Sequence, residues 1–186
     1  NNNKLLLVQV GNKEIQFVID CRYINILCIK YFLEDSTKLK ILHNAKFDYK
    51  VFFREGINLV NIHDTMLAEQ IIHGGREDFT YGLDQTLYRN LNIVVEKEIR
   101  NEFKYINSGN IPLNMIEYAA KDVYYMPELY YIQSLNIKHS NLECVIKLEM
   151  DLIRPLCLME LNGIKIDIDR WGNIKKETTA KLLEIE

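Results

Sequence analysis

The sequence predicts an α/β fold with a mixed sheet, followed by a purely helical tail. Three observations carry this prediction. Residues 4–10 and 14–19 are β-branched, apolar runs, and Gly11-Asn12 between them is a hairpin signal. From Ile24 to Leu91, short apolar runs then alternate with segments of helical spacing, the pattern of strand–helix units. Beyond Pro112 the helical period dominates, and the segment after about Leu135 reads as a separate unit.

The elements follow in order. Residues 24–33 place apolar side chains at helical spacing, and residues 39–42 form a short buried strand. Residues 45–54 read as a helix closed by Gly56, a residue that tolerates the left-handed conformation of a helix end. Residues 59–62 are another short strand. Asp64 or Thr65 then caps a helix through Ile72, which Gly74-Gly75 stops. In residues 81–91, Leu83, Leu87 and Leu91 share one stripe. Residues 94–109 are polar and poorly periodic, which suggests a loop with a short helix. Pro112 has no N–H to lose and suits the first position of a helix running to about Ile132. Residues 135–141 break the pattern. Residues 142–161 form a further helix, with Pro155 as a potential kink and Asn162-Gly163 as its end. Residues 164–168 are extended. Residues 171–185 are helical again, with Lys175, Lys176 and Lys181 on a solvated polar side.

Composition narrows the function classes. The chain has 186 residues, 48% hydrophobic and 26% charged, which is globular rather than fibrous or disordered. No apolar run reaches the roughly 18 residues of a membrane span. The net charge of −3 gives no overall basic field, although a local basic groove is compatible with it. Cys21, Cys28, Cys144 and Cys157 form no CxxC pair. Cys28, Cys144 and Cys157 stand among apolar residues and read as reduced core thiols of an intracellular protein. The chain starts on Asn1 with no signal segment after it, so we expect a piece of something longer.

Two short constellations can do chemistry. The first is His43-Asn44-Ala45-Lys46-Phe47-Asp48, at a strand-to-helix junction, the edge where open α/β sheets bind ligands. Asn44 is also an ordinary N-cap residue, and Asp48 is favoured near a helix N-terminus by the dipole alone. The second is Tyr118-Ala119-Ala120-Lys121-Asp122, where Tyr118 and Asp122 share a helix face at i, i+4. A Tyr hydroxyl above a carboxylate can orient a metal-bound water; a half-buried Tyr beside a solvated Asp is the plain alternative. Together, Asp48 and Asp122 are hard oxygen donors of the kind Mg²⁺ or Mn²⁺ prefers. Two carboxylates hold two ions poorly, so further acidic ligands are needed.

At this point a resemblance enters. Asn44-x-x-x-Asp48 and Tyr118-x-x-x-Asp122 resemble the second and third motifs of the DEDD 3′–5′ exonucleases, in the subgroup with Tyr in the third motif. Ile62-His63-Asp64-Thr65-Met66-Leu67-Ala68 and Gly82-Leu83-Asp84 through Leu91 resemble segments of the exonuclease domain of family A DNA polymerases. Glu149-Met150-Asp151-Leu152-Ile153-Arg154-Pro155-Leu156, and Met159-Glu160-Leu161-Asn162-Gly163-Ile164-Lys165-Ile166-Asp167, resemble the entry into the polymerase domain of the same family. The resemblance implies a ribonuclease-H-like exonuclease domain over residues 1–135. Residues 136–186 would be a helical linker and the start of the polymerase thumb.

The departures are specific. The family carries its first motif, Asp-x-Glu, on the first strand of a three-strand meander, and no Asp-x-Glu precedes Lys4. Asp20 and Glu34-Asp35 follow the wrong strand or lie in a helix. Two of four expected metal ligands, and the first strand itself, are therefore missing from the expectation. A family aromatic that packs on the single-stranded 3′ end is replaced near Val95, with Phe103 or Tyr105 as substitutes.

For an intact parent the resemblance implies proofreading: removal of a mispaired 3′ nucleotide from single-stranded DNA with two Mg²⁺ or Mn²⁺ ions. Asp48 and Asp122 would ligate metal and Tyr118 would orient the attacking water. Asn44 would hold the primer backbone or brace the ligand loop. Lys46 and Lys121 would offset phosphate charge or simply be solvated. The implied partners are primer–template DNA and the rest of the polymerase chain, with no membrane, in a bacterial or phage-replicating cytoplasm. Two other classes stay open: an RNase D-like exoribonuclease, against which the segment 162–167 speaks, and an inactive exonuclease-shaped scaffold. The isolated chain is expected to cut weakly or not at all.

Overall fold

The computed structural model describes residues 5–95 and 109–183. Strands β1 (Leu7–Gly11) and β2 (Gln16–Asp20) form an antiparallel hairpin with Leu7 opposite Asp20 and Gly11 opposite Gln16. The turn is not made at Gly11-Asn12 alone. Gly11 is still in the strand, and the Asn12 side chain accepts the amides of Glu14 and Ile15 at 2.8 and 2.9 Å to close the loop. Gly11 is required there by close approach, because a Cβ would stand 2.7 Å from the Ile15 carbonyl oxygen.

A 3₁₀ turn (Ile26–Ile29) and the single-turn helix α1 (Lys30–Leu33) lead to β3 (Lys40–Leu42). Helix α2 (Ala45–Arg54) follows, and Gly56 after it takes the left-handed conformation, φ 79°. Strand β4 is Ile62–Asp64, later than the expected 59–62, because Leu59 is buried in the core as an irregular segment. It pairs parallel with β3, Leu42 opposite Asp64. Helices α3 (Thr65–Ile72) and α4 (Leu83–Leu91) complete the first half.

Pro112 stands just outside the next helix, α5 (Leu113–Tyr124). The expected long helix to Ile132 is interrupted at Tyr125, and a second helix, α6 (Met126–His139), continues through the expected break at 135. Then come α7 (Glu143–Asn162), with Pro155 inside it, and α8 (Ile168–Leu183). Much of the expected loop at 94–109, with Phe103 and Tyr105, lies outside the described residues.

The mixed sheet is split. Among the described residues, β1 pairs with β2 and β3 with β4, and no ladder joins the two halves. A cavity of about 130 Å³ lies between them, lined by Val10 of β1 and Ile41 of β3, with Phe52 and Met126 also on its walls. Helix α5 packs on β1 and β2, and α6 packs on β3.

The main core gathers Val8, Ile26, Leu33, Tyr49, Phe52 and Leu59 with Ile153 and Cys157 of α7. Met150 of α7 also touches the second cluster of Ala68, Ile137 and Ile146. Helix α7 is thus part of the same packed body. Helix α8 buries nothing. The thiol expectation holds for Cys157, whereas Cys28 and Cys144 are exposed, on the outward side of turns whose Ile26 and Ile146 are buried instead. No helix among the described residues is long and apolar enough to cross a membrane.

Candidate active site

The site is built where β3 and β4 end side by side and α2 and α3 begin. Asp64 is the residue that makes this possible. Its side chain is the N-cap of α3, with Oδ1 accepting the amides of Met66 at 2.9 Å and Leu67 at 3.3 Å. The same carboxylate accepts Asn44 N–H at 3.0 Å and Ala45 N–H at 2.8 Å, at the start of α2. Helix starts leave N–H groups without intrahelical partners. One buried carboxylate satisfies two helices at once.

Asn44 therefore does not cap α2 with its side chain. It sits in the left-handed region, φ 65° and ψ 49°, makes no side-chain capping bond and is exposed. Asn tolerates that region better than most residues, and such conformations gather at functional sites. His43, one residue earlier, places Nδ1 3.0 Å from Thr65 Oγ1 and Nε2 3.0 Å from the Tyr81 carbonyl. Burial holds its imidazole below the usual range, so Nε2–H is assigned as the donor to Tyr81. The strand end is thereby tied to the loop before α4.

Asp48 lies half-buried in the first turn of α2. Burial first, and the nearby Asp64 charge second, push its carboxyl up to about 7. A site where two carboxylates crowd in low dielectric is one where a cation would be welcome. Asp64 is committed to four amides, which leaves Asp48 as the available donor of the pair.

Tyr118 and Asp122 are brought together on α5. Both line a cavity of about 270 Å³, with Asn114 and Lys121 on the same helix face and Leu87, Ile93 and Val94 opposite. Asp48 is not among the residues lining that cavity. Among the described residues, no group of three or more His, Cys, Asp or Glu could hold a metal ion. Asp48 and Asp122 have the donor chemistry Mg²⁺ prefers, but the donor count is short.

Lys46 faces elsewhere. Its Nζ is 2.6 Å from Glu160 Oε1, and Lys50 Nζ is 2.7 Å from Glu160 Oε2. Lys121 is exposed at the cavity rim. Sequence reasoning saw Asp64 as a candidate cap for α3 and as part of the family-like segment 62–68. Its bond to Ala45 joins residues 19 apart, and no local pattern announces it.

Residues 1–137 match the 3′–5′ exonuclease family of DNA polymerase A. The chain belongs to this family. It is 23% identical to DNA polymerase I of Aquifex aeolicus, over 98% of the chain and 34% of that polymerase. The chain spans about a third or less of the curated relatives it matches. Among solved structures, it resembles Brucella melitensis NrnC with bound Mg²⁺ at a TM-score of 0.74 and 19% identity, covering 89% of this chain and 81% of that one. It resembles Escherichia coli RNase D, an exoribonuclease, at a TM-score of 0.70 and 20% identity, covering 91% and 44%. The fold is that of the ribonuclease-H-like 3′–5′ exonucleases.

Proposed function

We propose that this chain is the proofreading segment of a family A DNA polymerase, which hydrolyses the 3′-terminal nucleotide of a single DNA strand. The observation that carries the reading is Tyr118 and Asp122 side by side on the wall of one cavity, in a chain of this exonuclease family. Asp122 and Asp48 would hold Mg²⁺ or Mn²⁺. Bound there, the metal would polarise the scissile phosphodiester and lower the pKa of a water, so that it can give up a proton and attack. Tyr118 orients that water through its hydroxyl, and Asn44 braces the turn that carries Asp48. A mispaired end reaches such a site more readily because less pairing must be broken.

Two carboxylates do not suffice for two ions. The cavity between β1 and β3, which no ladder joins among the described residues, supports the reading that a further strand carries the missing acids there. Without it the isolated chain is a weak nuclease or none. Residues 136–186 lead toward the polymerase unit, and the protein works where cellular DNA is replicated. DNA is favoured over RNA as substrate because the curated relatives are DNA polymerase I enzymes.

The test uses the polymerase that carries this segment. Asp122→Ala should abolish excision of a mismatched 3′ nucleotide and leave primer extension intact. Undiminished excision in that variant refutes the assignment. Excision of RNA but not DNA ends by the wild type would favour the exoribonuclease reading.

A further inference from the structure

Lys46, Lys50 and Arg54 recur every fourth residue along α2 and share one face. Successive cations are about 6 Å apart along the axis, four residues at roughly 1.5 Å each. Arg154 of α7 lies apart from them, its side chain at the Tyr49 hydroxyl. Asp48 lies about 200° around the helix from Lys46, so this stripe faces away from the candidate active site.

One carboxylate sits on the stripe. Glu160 gives Oε1 to Lys46 and Oε2 to Lys50, one oxygen per ammonium. The two oxygens stand as the non-bridging oxygens of a phosphate would. The side chains of Lys46, Lys50 and Glu160 are 44%, 28% and 42% exposed. Ion pairs this open to water are worth little and exchange freely with other anions. The two lysines hold the Glu160 carboxyl down at about 2, so it stays charged throughout the physiological range.

We propose that Lys46, Lys50 and Arg54 form a tracking stripe for the phosphates of a nucleic-acid strand, and that Glu160 occupies a phosphate position until the strand arrives. The phosphate chemistry stands on this geometry alone, and the choice of nucleic acid rests on the proposed exonuclease function. Lys46 and Lys50 share the phosphate position that Glu160 fills, Arg54 one turn on suits the next phosphate of an extended strand, and each contact releases a counterion. Removing Glu160 frees two ammonium groups without touching the active site.

The experiment measures binding of a fluorescein-labelled oligothymidylate of about 12 nucleotides, a typical single-strand site size, to the purified chain by anisotropy in EDTA. Glu160→Gln should bind roughly threefold to tenfold tighter than wild type at low salt. Lys50→Ala combined with Arg54→Ala should bind more weakly, and its slope of log affinity against log salt should fall by about 1.4, two phosphates at roughly 0.7 each. Unchanged or weaker binding by Glu160→Gln overturns the proposal, as does an unchanged salt slope in the double variant. No binding by any variant also overturns it. EDTA removes the metal that cleavage needs, so the outcome is independent of the exonuclease reading, which the excision assay decides separately. Should the double variant fail to fold by circular dichroism, Glu160→Gln alone still decides.

Discussion

The Asp64 carboxylate accepts the Ala45 amide at 2.8 Å, so the residue that caps α3 also caps α2. Four amides from two helices converge on one side chain that is 3% exposed. An amide in its place keeps one acceptor oxygen for Asn44, Met66 and Leu67, but turns an NH₂ toward the Ala45 N–H that Oδ2 accepts and leaves that donor unsatisfied. Asp64→Asn should therefore cost about 1–3 kcal/mol of stability, read as a lower urea midpoint. A loss under about 0.5 kcal/mol, the range of ordinary surface changes, would contradict the double cap.

Asp48 links this cap to pH. Its carboxyl rises from 3.8 to about 7 on folding, through burial and then the Asp64 charge. Between those values the unfolded chain has released the proton and the folded chain retains it. Stability must then fall as pH rises from about 4 to about 7, and level off above. Asp48→Asn removes the cost. It should match wild type at pH 3 and exceed it by about 2–4 kcal/mol at pH 8 without metal. Denaturation at both pH values checks this, and equal differences at the two would refute it. Added Mg²⁺ should narrow the gap at pH 8, because a cation favours the ionised carboxylate.

The parts legible in the sequence were those with local signals. Apolar, β-branched runs marked the hairpin, and Gly56 marked the end of α2. The i, i+4 spacing of Tyr118 and Asp122 anticipated their common cavity. What was missed is long-range. Asn44 has a capping side chain, yet Asp64 takes the amides from across the sheet and leaves Asn44 in the left-handed region. Lys46 stands two residues from Asp48, yet helix geometry turns it to Glu160, a partner 114 positions away. The break at Tyr125 was hidden because apolar spacing continues through it.

Glu69 is a second buried carboxylate, and donors from several elements converge on it. It is fully buried, yet Arg89 Nε at 3.0 Å, Asn90 Nδ2 at 2.9 Å and Gln133 Nε2 at 2.8 Å all donate to it. Gln133 also donates to the Thr65 carbonyl at 3.0 Å, so the hub joins α3, α4 and α6 beneath the start of α3. Deleting one side of such a buried network strands the other. Glu69→Ala should cost about 3–5 kcal/mol, measured by urea unfolding, against a near-neutral result if the network were idle.

The Tyr118 hydroxyl separates chemistry from binding. It shares the cavity wall with Asp122, and its ring is half-buried there. Tyr118→Phe retains the ring, and therefore the packing of α5 and the shape of the cavity. It removes only the group proposed to orient the attacking water. Groups of this kind contribute about 10²–10⁴-fold to rate, and a positioning hydroxyl belongs at the lower end. In the polymerase carrying this segment, Tyr118→Phe should slow excision of a mismatched 3′ end by roughly 100-fold at saturating DNA. KM for the primer end should stay within about twofold, because uniform binding is untouched. A raised KM with unchanged kcat would instead make Tyr118 a binding residue, and the water-orienting role would then have to pass to another group on the cavity wall.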